Sequence, residues 1–353
     1  MAGWLTLGSI VCMVLASCQL PLPSGSPYVV RPDVPQHIVA VPPGNFFGIA
    51  WLPDGTIVVG HTVDLHPWIG STQVWQLRAD GTGFSRVPLP NDSDCRVTEY
   101  RWPTALGDGR LGLTKRCNDP KAAAVPNTAQ DYAVAYSLKT HTLEVLTPAL
   151  NQYPGDISWD PTLQRAVASE DSSIVASIFA IDRRGTQMLH VPIRDSGRVF
   201  WLDDYFNSPP DNEAEEARQG RATAPEWSPD GRTIAFLAEA RSIGVTGFAR
   251  MHIPFDLYFM NPDGTHLRRV MPEVEAGPTW SPDSRYLALG HKSAVWIWKV
   301  GSKRAIRVAS EALGPVAWSP DGRKLAAIRW LHNDDDQYEI VILDLEGVID
   351  SGQ

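Results

Sequence analysis

Cysteine is scarce in this chain, with four in 353 residues. Cys12 and Cys18 fall within an apolar leader, which leaves Cys95 and Cys117 for everything that follows. Beyond the leader no stretch is both apolar and long enough to span a bilayer as a helix, so a helical membrane domain is excluded. Positive charge is also short. With 31 Lys and Arg against 40 Asp and Glu the net charge is −9, and without a basic stripe the chain is not built for nucleic acid. Nor is there a Gly-x-Ser-x-Gly nucleophile elbow, which removes the hydrolase chemistry that such a turn supports.

What the chain has is a repeat. Trp227-Ser228-Pro229-Asp230-Gly231 and Trp318-Ser319-Pro320-Asp321-Gly322 are the same pentapeptide, Trp280-Ser281-Pro282-Asp283-Ser284 differs at its last residue, and Trp51-Leu52-Pro53-Asp54-Gly55 at its second. Weaker copies stand at Trp159-Asp160-Pro161 and Trp102-Pro103. A strand that ends at Trp, a turn opened by Pro and Asp, and a left-handed Gly that lets the next strand return make a tight hairpin. Apolar runs such as Thr233 to Leu237 and Lys324 to Ile328 follow. A third strand then runs into a second polar turn, as at Asp256 to Met260 and Ala294 to Trp298, and a fourth restarts, as at Thr265 to Val270 and Arg304 to Val308. The unit is a four-stranded antiparallel blade, and a series of them is a propeller.

Six blades are expected, anchored at Trp51, Trp102, Trp159, Trp227, Trp280 and Trp318. The fold class is therefore all-β, a six-bladed β-propeller over residues 36–350. Only residues 346–353 follow the third strand of the last blade, too few for a full outer strand. Gln36 to Val41 belongs to no blade of its own, so this N-terminal strand is expected to complete the last blade and close the ring.

Residues 1–18 read as a signal peptide, too short and too polar at its flanks to be a transmembrane helix. Leu15-Ala16-Ser17-Cys18 resembles the lipobox of bacterial lipoproteins, which implies a lipid on Cys18, although residues 1–8 carry no Lys or Arg. The alternative is an ordinary secretory signal cleaved nearby. Either way the chain is expected to be exported and to face the periplasm or the exterior. Residues 19–35, rich in proline, read as an extended tether. Cys95 and Cys117 fall at neighbouring strand ends of the second blade, where a disulfide is the preferred reading and two unpaired thiols the alternative.

The repeated Trp-Ser-Pro-Asp-Gly, followed by strands like Ile234-Ala235-Phe236 and Tyr258-Phe259-Met260-Asn261-Pro262-Asp263-Gly264, resembles the TolB-like, or WD40-like, propeller repeat of bacterial envelope proteins. That resemblance implies six blades and an envelope location. It does not imply the Tol system, whose translocation protein would carry a further amino-terminal domain.

Candidate site residues follow from the blade geometry. The loops between second and third strands and between blades are long and share one face, the usual place for recognition on a rigid scaffold. The residues that end the second strands are His61, Lys115, Glu170, Ala238, His291 and Arg329, and a polar ring at the funnel mouth is one reading, ordinary solvent-facing strand ends the other. The segment with Trp201, Asp203, Asp204 and Tyr205 is too aromatic to hang in water, so it caps the funnel or meets a partner. His61, Asp64 and His66 make a weak metal set, and Asp334 to Asp336 lack the spacing of a calcium loop. No cofactor, metal or catalytic residue is assigned. The preferred function is a monomeric, lipid-anchored binding or scaffold module for an envelope protein, peptide or glycan. The alternative is a lyase or hydrolase working in the funnel with His61, His291 and nearby carboxylates.

Overall fold

The computed structural model describes residues 27–39, 41, 45–62, 72–118, 129–150, 154–170, 178–187, 192–195, 198–201, 222–239, 255–311, 313–331 and 338–349. Two short strands come first, β1 (Tyr28–Val29) and β2 (Gln36–Val39). Blade one is β3 (Asn45–Trp51), β4 (Thr56–Thr62), β5 (Gln73–Arg78) and β6 (Ser85–Arg86). Blade two is β7 (Val97–Ala105), β8 (Leu111–Asn118), β9 (Gln130–Ser137) and β10 (Thr142–Val145), and blade three is β11 (Pro154–Trp159), β12 (Arg165–Glu170), β13 (Ile178–Asp182) and β14 (Gly185–Gln187). A separate hairpin, β15 (Pro192–Asp195) and β16 (Arg198–Trp201), stands in the connection to blade four. Blade four is β17 (Ala222–Trp227), β18 (Ile234–Glu239), β19 (Phe255–Met260) and β20 (Arg268–Val274). Blade five is β21 (Ala276–Trp280), β22 (Tyr286–His291), β23 (Ala294–Lys299) and β24 (Ala305–Ala309). Blade six has β25 (Leu313–Trp318), β26 (Lys324–Trp330) and β27 (Tyr338–Asp344), with β2 as its outer strand. The expected all-β ring of six blades is present.

The side-chain period of two explains why the blades stack. In β23, Val295 and Ile297 point into the core shared with Trp318 and Leu325 of blade six, while Trp296 and Trp298 point into the one shared with Leu257 and Phe259 of blade four. Six such clusters fill the six gaps between blades. Burying one large side chain there contributes about 1.5–3 kcal/mol. The Trp anchors also stitch blades by hydrogen bonds. Trp280 Nε1 donates to the Glu226 carbonyl (3.2 Å) and Trp318 Nε1 to the Thr279 carbonyl (2.9 Å), each in the preceding blade.

The pentapeptide owes its recurrence to a closed local network. Ser228 Oγ donates to Asp230 (2.6 Å) and accepts from Thr233 N (2.9 Å), while Asp230 accepts from Arg232 N (3.1 Å). The turns at Ser281 and Ser319 repeat the pattern. Accepting the Ser319 hydroxyl and a backbone N–H holds the Asp321 carboxyl below its ordinary range. Gly231 and Gly322 sit at φ of 73° and 72°, where a side chain would be strained.

One anchor is corrected. In blade two, Leu106 N bonds Arg110 O and Gly109 N bonds Leu106 O, as Leu52 and Gly55 do in blade one. This register puts Ala105, not Trp102, in the place of Trp51. The Trp102 indole lies three residues earlier, on the inner strand.

Ring closure is as expected. β2 pairs antiparallel with β27, from Gln36 opposite Leu343 to Val39 opposite Ile340. The stretch read as a tether adds something more. β1 pairs parallel with β24, giving blade five a fifth strand. Tyr28 is 5% exposed and donates its hydroxyl to the Pro272 carbonyl (2.6 Å), Ala305 N donates to Pro27 O (2.6 Å), and Asp33 accepts from Ser310 N (3.0 Å). From residue 27 onward, then, the chain is strapped to the outer rim of blades five and six.

Cys95 and Cys117 form a disulfide, with Cα atoms 5.1 Å apart. Closing that loop contributes roughly 3 kcal/mol in the chain-entropy model. Among the described residues no helix is long and apolar enough to cross a membrane.

Candidate functional site

In every blade the pairing of the inner strand with its neighbour slips, between Phe47 and Ile49, Arg101 and Thr104, Pro154 and Ile157, Thr223 and Glu226, Ala276 and Thr279, and Leu313 and Val316. Proline lies in four of these bulges, at 103, 225, 278 and 315. Having no N–H to give, it cannot continue a ladder. Gly48, Trp102 and Ala224 take φ of 63°, 53° and 49° there. The inner strands converge so closely that a Cβ on Gly48 would stand 2.8 Å from Pro103 Cδ, and one on Gly277 2.9 Å from the Ala224 Cβ.

These bulges enclose an axial cavity of about 360 Å³. Glycine and proline are eight of the twenty described lining residues, with Ser158, Thr104 and Thr279 as hydroxyls, Glu226 as the one carboxylate and Trp102, half-buried, as the one aromatic. Two polar groups stitch blades as well as lining the wall. Ser158 Oγ accepts from Trp227 N (2.8 Å) and Glu226 Oε1 from Trp280 N (3.2 Å). The cavity therefore offers bulged backbone, rigid apolar rings, one indole and one negative charge. That equipment suits an uncharged extended ligand.

Sequence reasoning missed this lining. The signal was a small residue or Trp followed by Pro shortly before the anchor, in Trp102-Pro103, Ala224-Pro225, Gly277-Pro278 and Gly314-Pro315.

The expected polar ring ends the second strands, but its described side chains are taken up elsewhere. His61 is 2% exposed, its ring 4.7 Å from Phe46 and 6.0 Å from Trp75. Lys115 is paired with Asp92 and lies over the Tyr132 ring. Arg329 is held between Glu339 and Glu311 (2.6 Å to the latter). His291 is 1% exposed and stacked on Tyr28, centroids 3.7 Å apart and planes within 4°, with Nδ1 2.5 Å from the Glu273 carbonyl. Burial holds its pKa below the ordinary value. None of these four is among the described residues that line the axial cavity. Each found a partner within its own or an adjoining blade, and Ala238 is buried core. Glu170 closes β12, but its side chain is outside the described residues.

Trp201 ends β16, while its side chain and Asp203, Asp204 and Tyr205 lie outside the described residues. So do Cys18, Asp64, His66 and Asp334 to Asp336.

No protein-family model matches the chain, and no curated protein does. Solved structures similar to it include oligogalacturonate lyase from Vibrio parahaemolyticus, at 11% identity and a TM-score of 0.49 over 87% of this chain and 79% of that one. TolB from Acinetobacter baumannii gives 14% and 0.45 over 77% and 60%, and putative TolB from Agrobacterium tumefaciens 16% and 0.47 over 85% and 90%. The six blades are those that the resemblance to TolB-like propellers implied, and the closure by an N-terminal strand is the one expected from residues 36–41.

Proposed function

We propose that the protein is an exported binding module which receives an extended, uncharged segment of an envelope protein, peptide or glycan in the mouth of its axial cavity. The observation that carries this reading is Trp102. Blade two gives up the interblade anchor that Trp supplies in other blades, and its tryptophan stands instead on the cavity wall, at a φ of 53°. A bulky residue in the left-handed region costs of order 1–2 kcal/mol, and strain kept at a cavity wall is characteristic of a ligand clamp. An indole on the wall offers a flat apolar face to a side chain or a sugar ring.

The test is binding to immobilised panels of envelope-derived peptides and glycans. Trp102→Ala should weaken capture of the best ligand about tenfold or more, as loss of a central aromatic anchor does, while the melting temperature stays level or rises. Full affinity in that variant would sink the reading, and shortening of the bound ligand would move it to catalysis.

The proposal extends to the membrane. A lipid on Cys18 would leave ten residues before the docked Tyr28, a leash of roughly 35 Å at full stretch, so the rim of blade five would stay near the bilayer. Cys18→Ser should shed the protein from membranes or stall its processing. Unchanged membrane fraction and mass would refute the anchor.

A further inference from the structure

The turn face of the propeller carries a second recess, between blades three and four. In blades four, five and six the third strand sends a large residue against the next anchor Trp. Phe259 lies 5.3 Å from Trp280, Ile297 packs in the cluster of Trp318, and Ile342 in that of Trp51. The ladders put these three opposite Ala235, Ala288 and Ala326, and the position opposite Val167 in blade three is Ala180. Ala180 stops at its first carbon. A pocket of about 250 Å³ remains, with Val167 and Ala180 on one side and Trp227 on the other.

Three features of that pocket point to a ligand. Trp227 is 5% exposed, and its Nε1 is buried with no hydrogen-bond acceptor among the described residues, whereas Trp280 and Trp318 place theirs on carbonyls of the preceding blade. A buried donor left unpaired costs about 1–3 kcal/mol. The Arg165 guanidinium stands 5.2 Å from the Trp227 ring centroid, and among the described residues it donates no hydrogen bond, its one ion pair being a 4.0 Å approach to Asp160. Arg184 completes the rim, paired with Asp182 (2.9 Å).

The rim carboxylate, Asp182, and Asp160, which approaches Arg165, are both occupied. Asp160 accepts from Gln164 N (2.9 Å), Arg165 N (3.3 Å) and the Thr162 hydroxyl (2.9 Å), and Asp182 accepts from Arg184 N (2.7 Å) and its guanidinium. With Asp182 lining the recess and Asp160 4.0 Å from Arg165, two arginines are met by two aspartates, so the site suits a monoanion better than a dianion. A guanidinium fork matches the two oxygens of a carboxylate.

We infer that this recess is a ligand site for a small organic carboxylate, its acid group on Arg165 and within reach of Arg184, its apolar body over Val167 and Ala180 against Trp227. The site is independent of the axial cavity and lies on the opposite face, among the tight turns.

The experiment follows the isotope-labelled indole nitrogens of the full chain by NMR, with the Trp227 signal identified by its loss in Trp227→Phe. Benzoate is the carboxylate probe, benzamide its neutral twin and inorganic phosphate the dianion. Benzoate is expected to move the Trp227 signal and benzamide to leave it in place. Arg165→Gln should weaken benzoate roughly ten- to a hundredfold, the loss expected of a charged hydrogen bond. Ala180→Ile fills the recess as Ile297 and Ile342 do in their blades, and should abolish binding with the melting temperature unchanged or raised. Should that variant not fold, Arg165→Gln decides alone. Equal response to benzamide and benzoate, a stronger response to phosphate, or no response of Trp227 to any probe would each overturn the site.

Discussion

A chain lacking Ser24–Pro32 is expected to be destabilised by about 3–5 kcal/mol, the usual cost of emptying a buried aromatic position, although its composition is that of a linker. The deletion takes away Tyr28, which fills a place in the core between blades four and five and covers His291 and Trp296. It also leaves the outer edge of β24 open, and unpaired edges invite association. Tyr28→Ala should reproduce most of the loss. Tyr28→Phe keeps the stacked ring and gives up the hydroxyl's bonds to the Pro272 and Glu273 carbonyls, so about 1 kcal/mol is expected. Chemical denaturation of the three variants checks the series. A deletion as stable as the full chain would mean that the strap is ornamental.

Gly48→Ala should cost about 2–4 kcal/mol, a large figure for one methyl group. Two terms add: the left-handed backbone, at φ 63°, and a Cβ placed 2.8 Å from Pro103 Cδ, where the proline ring cannot yield. Gly83 separates them. It has φ of 70° with nothing within 4 Å of a built Cβ, so Gly83→Ala should cost only the strain, about 1–2 kcal/mol. Equal losses at the two sites, measured by denaturant midpoint, would show that the close approach of blades one and two contributes nothing.

The fold was legible because its punctuation is local. Ser228, Asp230 and Gly231 close a turn by bonds that span a few residues, and such chemistry survives in a sequence wherever the turn is used. Blade two misled for the same reason in reverse. Its turn is Leu106 to Gly109, without Trp or Pro, while Trp102-Pro103 imitates the motif three residues too early.

The site was harder to see. Polarity at a strand end does not say what a side chain will meet, and Lys115 meets Asp92, Arg329 meets Glu339 and His291 meets Tyr28. One of those partners, Tyr28, lies at the far end of the sequence from His291. Eight of the described residues that wall the axial cavity are glycine or proline, types that carry no side-chain chemistry and so drew no attention. Tyr28 and Val34, buried side chains of the strap ahead of β2, are isolated among prolines and charges, too sparse for any periodicity to reveal.

The strap also bears on the order in which the molecule can assemble. Tyr28 bonds carbonyls 244 and 245 positions ahead of it, and Asp33 bonds Ser310, 277 positions ahead. Contacts of such separation give a high contact order and form late, because the chain between them must first be gathered. Their entropic cost at equilibrium grows only with the logarithm of that length. Blades one to four can mature on short-range contacts while the leading residues wait. During synthesis those residues emerge first, yet they find their places only when blades five and six arrive, so synthesis and consolidation run in opposite directions along the chain.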